Sequence, residues 1–129
     1  EDLIVENGGD IFIKRKQESV VAVYAGSSPL SNKVGIQISP ETMPCGICCS
    51  SGSIGHSLSL GKADAVVVKA GSTTLADAAA TRIGTEVEER PGSIDKALQA
   101  AQQISGISGA VVVQGTQLGV WGDLELVRL

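Results

Sequence analysis

The chain predicts an α+β fold, a largely antiparallel sheet with two main helices packed on it. Three features carry that expectation: short apolar runs broken by Gly, Asn and Pro turns, two stretches with helix start and stop signals, and a final pair of β-branched runs around a polar turn. Leu3 to Val5 and Ile11 to Ile13 read as strands on either side of Asn7-Gly8-Gly9-Asp10, since Asn-Gly is a strong hairpin signal. Ser19 to Tyr24 and Val34 to Ile38 read as two more, joined by a loop containing Pro29. Val66 to Lys69 is a short, mostly apolar strand suited to burial. A helix follows from about Thr73 to Thr85, with Ser72 or Thr73 as its cap, because a side-chain oxygen there can accept a free amide of the first turn. The second helix runs from about Ile94 to Ile104, with Ser93 as cap, Asp95 near the positive end of the dipole and Gly106 beyond its end. Ala110 to Val113 and Gly119 to Val127 form the closing hairpin around Gln114-Gly115-Thr116-Gln117. Helices laid on one face of such a sheet bury the apolar faces of both.

Composition narrows the function. A chain of 129 residues with 43% hydrophobic content is expected to form a single domain over residues 1–129. A net charge of −4 argues against a nucleic-acid or anionic-membrane partner, which would need a concentrated basic surface. The one basic cluster, Lys14-Arg15-Lys16, reads as a solvated turn between strands. No apolar run reaches the ~18 residues of a membrane-spanning helix. Glu1 in place of an initiator methionine points to a processed chain or to a piece of a longer gene product. Three cysteines without a paired spacing pattern favour a reducing, cytoplasmic location.

The sharpest chemical motif is Ala76-Asp77-Ala78-Ala79-Ala80-Thr81. Asp77 and Thr81 lie four residues apart on one helical face, so a carboxylate and a hydroxyl can point at one ligand, and the alanines leave room for it to come close. Two hard oxygen donors suit magnesium, which keeps waters or substrate phosphates in its other positions. The competing reading is a small-residue helix packed on a sheet, with Thr81 bonding back to its own turn. In Asn7-Gly8-Gly9-Asp10 the glycines let a ligand reach the backbone, with the Asp10 carboxylate beside the opening; a plain turn would use the same residues. The segment from Cys49 to Ser57 places small hydroxyl and glycine residues before the single histidine, His56, which could bind a ligand or carry a proton near neutral pH. Cys45-Gly46-Ile47-Cys48-Cys49 contains a CxxC, yet Cys48 and Cys49 point to opposite sides of an extended segment, so small buried hydrophobes are the expected role, with a cysteine-based metal or redox protein as the competing reading.

In this order, Asn7-Gly8-Gly9-Asp10-Ile11, Ser50-Ser51-Gly52, His56, the strand Asp64 to Val68 and Ala76 to Thr81 resemble the C-terminal half of the ApbE-like superfamily, closest to its compact archaeal and bacterial branch. Better-known members of that superfamily are FAD:protein FMN transferases, which use magnesium to cleave FAD and attach FMN to an acceptor protein. The resemblance implies Asp77 and Thr81 as magnesium ligands, with the Asn7 carbonyl as a third. It implies Gly8, Gly9, Ser51 and Gly52 along the flavin nucleotide, and His56 and Asp10 as the catalytic candidates. It also implies an N-terminal half elsewhere, so the chain is expected to pair with that half or with a second copy through an open sheet edge. Two features depart from the transferases: His56 is followed by Ser57-Leu58-Ser59-Leu60-Gly61 instead of an Asp-Pro-x-Thr-Gly segment, and one Phe, one Tyr and one Trp offer little to stack on a flavin ring. A non-catalytic flavin- or nucleotide-binding or scaffold protein on the same fold is therefore the alternative.

Overall fold

A computed structural model of the chain describes residues 2–7, 9–50, 63–89 and 92–129. The N-terminal strands β1 (Leu3–Asn7) and β2 (Asp10–Lys14) form the expected hairpin, with Asn7 opposite Asp10. Next come β3 (Ser19–Ala22) and β4 (Val34–Ile38), then β5 (Cys45–Ser50) and β6 (Ala65–Ala70). Two helices follow, α1 (Thr73–Gly84) and α2 (Ser93–Gln102), and the chain closes with β7 (Ile107–Gln114), β8 (Gln117–Gly122) and β9 (Glu125–Arg128).

Every strand pair is antiparallel, as the α+β expectation requires. Two sheets form where one was expected: a six-stranded sheet in the order β1-β2-β5-β6-β7-β8 and a three-stranded sheet β3-β4-β9. The larger sheet is the middle layer of three. On one face Cys48, Val66, Val68, Ala110 and Val112 pack with Ala76, Ala79, Ala80 and Ile83 of α1 and with Ala97, Leu98 and Ala101 of α2. On the other face Ile13, Ile47, Ala65, Val67 and Val111 pack with Ile36 and Ile38 of the smaller sheet and with Val23, which follows β3. Covering both faces explains why Val66 to Val68 carry no polar residue, since alternate side chains enter different cores and both are dry.

Helix α1 begins as expected. Ser72 is its cap, and its hydroxyl oxygen accepts from the Leu75 amide at 3.2 Å. Ser72→Ala should lower stability by about 1 kcal/mol, read as a shift in urea midpoint, because that amide loses its partner. The start of α2 corrects the sequence reading. Gly92, with φ of 85°, is the cap, while Ser93 is the first helical residue; it is buried and donates its hydroxyl to the Glu88 carbonyl at 2.7 Å. The chain must turn through a left-handed conformation there, which glycine alone adopts freely.

The closing hairpin is also corrected. Its second arm divides at Gly122 (φ 88°) and Asp123, whose amide donates to the Ser108 carbonyl at 2.8 Å. Beyond that break the chain leaves β7 and crosses to β4, where Glu125 pairs with Gln37. At the opposite edge of the large sheet, β1 carries Leu3, Ile4 and Val5 about half exposed. No helix among the described residues is long and apolar enough to cross a membrane.

Candidate metal centre

The site forms where three elements meet at one end of the helix and sheet layers. Gly9 starts it. Its carbonyl accepts from the Cys49 amide at 2.8 Å, and a Cβ at Gly9 would run into the Cys49 carbonyl, so only glycine lets the hairpin close on β5. Gly9→Ala should therefore displace Asp10 and weaken divalent-cation binding, measured by titration calorimetry, along with a loss of about 1–3 kcal/mol in stability.

The β2/β5 register sets Asp10 directly opposite Cys48, and Cys48 faces the helix layer. Asp77, in the second turn of α1, stands above that position. One carboxylate oxygen each from Asp10 and Asp77 and the Cys48 sulfur all lie within 4.8 Å of one another. Asp10 is half-buried, Asp77 is exposed and Cys48 is only 2% exposed. The Cys48 thiol donates to Asp77 Oδ1 at 3.5 Å. Burial, then the hydrogen bond and charge of Asp10, then the charge and hydrogen bond of Asp77 push this thiol well above its usual range. It is thus a neutral donor between two carboxylates.

Thr81 bonds back to its own turn, donating its hydroxyl to the Asp77 carbonyl at 3.2 Å. Its oxygen keeps lone pairs for a further ligand, so this bond and metal coordination are compatible. Asn7 sits exposed at the end of β1, across the hairpin from Asp10. The fold therefore joins the turn motif to the helix motif. The expected nucleotide contacts Gly8, Ser51 and Gly52, and the candidate His56, lie outside the described residues.

Cys48 is the member that the sequence presents chiefly as core filling. Its burial is as expected, but the strand register that faces it with Asp10 leaves no local signature. The CxxC itself holds no shared site: Cys45 packs toward the smaller sheet and Cys48 toward the helices, and all three cysteines are free. Burial also raises the Cys45 thiol above its usual 9.0, with the Lys69 charge opposing. A thiol that holds its proton more tightly when folded contributes stability that is complete below that pH and is lost as pH rises past it. The urea midpoint should accordingly fall above about pH 9, and less steeply in Cys45→Ala, the limit being about 1.4 kcal/mol per pH unit for one thiol. The basic cluster behaves as expected of a turn: Arg15 donates to Ser19 Oγ at 2.9 Å and faces Asp2 at 3.8 Å.

The donor set of Asp10 and Asp77 fits a hard divalent cation, because carboxylate oxygens are what magnesium selects and two of them neutralise its charge. Fold and site together define an α+β protein with a carboxylate pair held between a hairpin and a helix. The chain belongs to the family described as AbpE bacteria, whose profile matches residues 1–125. It is similar to the UPF0280 protein of Methanosarcina acetivorans, at 41% identity over 124 residues covering 96% of this chain and 49% of the relative. It is also similar to the UPF0280 protein of Methanococcus aeolicus, at 44% identity over 127 residues covering 96% and 51% respectively. The chain spans about half the length of the curated relatives it matches.

Proposed function

We propose that the chain carries the metal-binding part of an ApbE-like, magnesium-dependent protein acting on FAD or a related nucleotide pyrophosphate, by transferring FMN to an acceptor protein or by cleaving the pyrophosphate. The observation that supports this reading is the convergence of Asp10 and Asp77, two motif carboxylates far apart in sequence, at one point of the surface. An acidic chain that binds a polyanion needs a cation between them, and a carboxylate pair is the usual means of holding one.

Asp10 and Asp77 hold the ion, and the Thr81 hydroxyl, one turn further along α1, is the third protein donor. Bound magnesium would supply charge neutralisation at the pyrophosphate and on the departing AMP. The Cys48 thiol fixes the Asp77 carboxylate by donating to Oδ1, which leaves the second oxygen of that carboxylate for the ion. Ser51, Gly52 and His56 follow in sequence on Ser50, the last residue of β5, and are assigned to the flavin nucleotide. Pairing with a second copy or with an N-terminal half is assigned to the open edge β1, whose exposed Leu3, Ile4 and Val5 have apolar surface to cover.

Isothermal titration of FAD into the longest form of the protein, with and without magnesium, tests the proposal. The expected result is binding that requires magnesium. No heat in either condition, or binding indifferent to the ion, would overturn it. AMP release measured in the same samples separates transfer or cleavage from binding alone.

A further inference from the structure

We infer that Asp10, Cys48 and Asp77 form a thiol-dicarboxylate site that also takes a thiophilic divalent cation of the zinc and cadmium class, through a Cys48 thiolate. The inference rests on the same carboxylate pair as the proposed function but on neither flavin nor turnover. Three elements, β2, β5 and α1, each contribute one ligand atom, and the three atoms lie within 4.8 Å of one another. Three protein ligands with a fourth position open to solvent is the usual arrangement of an accessible zinc site. Burial of Cys48 and exposure of Asp77 put the sulfur at the floor and a carboxylate at the mouth, so an ion can enter from solvent and meet the thiol last.

Magnesium leaves the thiol protonated, because a hard ion gains little from sulfur. Zinc or cadmium instead forms a metal–sulfur bond, and the proton that Cys48 shares with Asp77 Oδ1 goes to solvent. One proton is released for each ion bound, and the two carboxylates and the thiolate together carry more charge than the ion. The soft ion thus gains a ligand that magnesium cannot use. A thiol that served packing alone would give none of this.

Cadmium titration of the intact protein, followed by the ultraviolet charge-transfer band of a cadmium–thiolate bond, is the experiment. The band should saturate at one ion per chain, persist in Cys45→Ser and Cys49→Ser, and vanish in Cys48→Ser. Asp77→Ala should weaken cadmium binding by at least the roughly 10–100-fold that even an outer-shell partner contributes. Absence of the band in the unaltered protein, its survival in Cys48→Ser, or its dependence on Cys45 or Cys49 would overturn the inference. Should Cys48→Ser fail to fold, judged by circular dichroism, Asp77→Ala at its exposed position decides the matter, and unchanged cadmium affinity there overturns the inference too. Cadmium binding without magnesium-dependent FAD binding would leave this site standing and remove the flavin reading; the opposite pair of results would do the reverse.

Discussion

Gly46→Ala should destabilise the protein by about 3 kcal/mol, the upper end of what overpacking a core costs, and a valine there should do more. Gly46 lies in β5, where helix α1 starts across the sheet. A Cβ at this position would meet the Thr73 amide nitrogen and would lie 2.7 Å from Thr73 Cα, both backbone atoms that no rotamer change can move aside. Relief requires the first turn of α1 to lift off the sheet, which opens the packing of Ala76, Ala79 and Ala80 against Cys48 and Val68. These alanines hold the helix close because they are small, and a lifted helix leaves a gap that they cannot fill. Gly71→Ala is the matched control, since its Cβ would meet nothing within 4 Å; it should be neutral or slightly stabilising. Urea unfolding of both variants at constant m-value checks the pair, and a Gly46→Ala midpoint equal to that of the parent would show that α1 does not rest on this glycine.

The second large effect is functional. Asp77→Ala and Asp10→Asn should each remove magnesium-dependent FAD binding, weakening it by more than tenfold to hundredfold, while the folded state persists. Asp77 is exposed on α1, so its loss opens no cavity. In the proposed site the two carboxylates would act on one ion, so either deletion would already remove the chelate, and the double variant should lose little more than each single one. The readout is the rise in melting temperature expected of the parent in saturating magnesium and FAD, which scales with ligand concentration over Kd. Equal stabilisation of parent and Asp77→Ala would place the ligand elsewhere.

Much of the fold is legible in the sequence because its signals are local. The cap at Ser72, the turn at Gln114 to Gln117 and the strand Val34–Ile38 each depend on neighbours within one turn or one pleat. The two corrected elements share a different cause. Ser93 has the hydroxyl of a cap, yet a buried bond to the Glu88 carbonyl takes that hydroxyl and leaves Gly92 to make the turn. The arm from Gly119 to Val127 alternates well enough for one strand, and only the close approach of Gly122 to Gly109 and Ser108 shows why it must break.

For the site, residue type and helical period are enough to pick out Asp77 and Thr81 as neighbours on one face and Asp10 as a carboxylate beside a glycine turn. The α+β class, the acidic charge and the helix that carries Asp77 likewise follow from composition and spacing, since propensity, capping and net charge are properties of short stretches or of sums. Tertiary structure alone set the second sheet against the first and sent β9 across to β4. It also placed Cys48 opposite Asp10 and beneath Asp77, a residue 29 positions away. Register between distant strands is set by which apolar faces must be buried together, and a shift of one residue would turn Cys48 to the other core and dissolve the site.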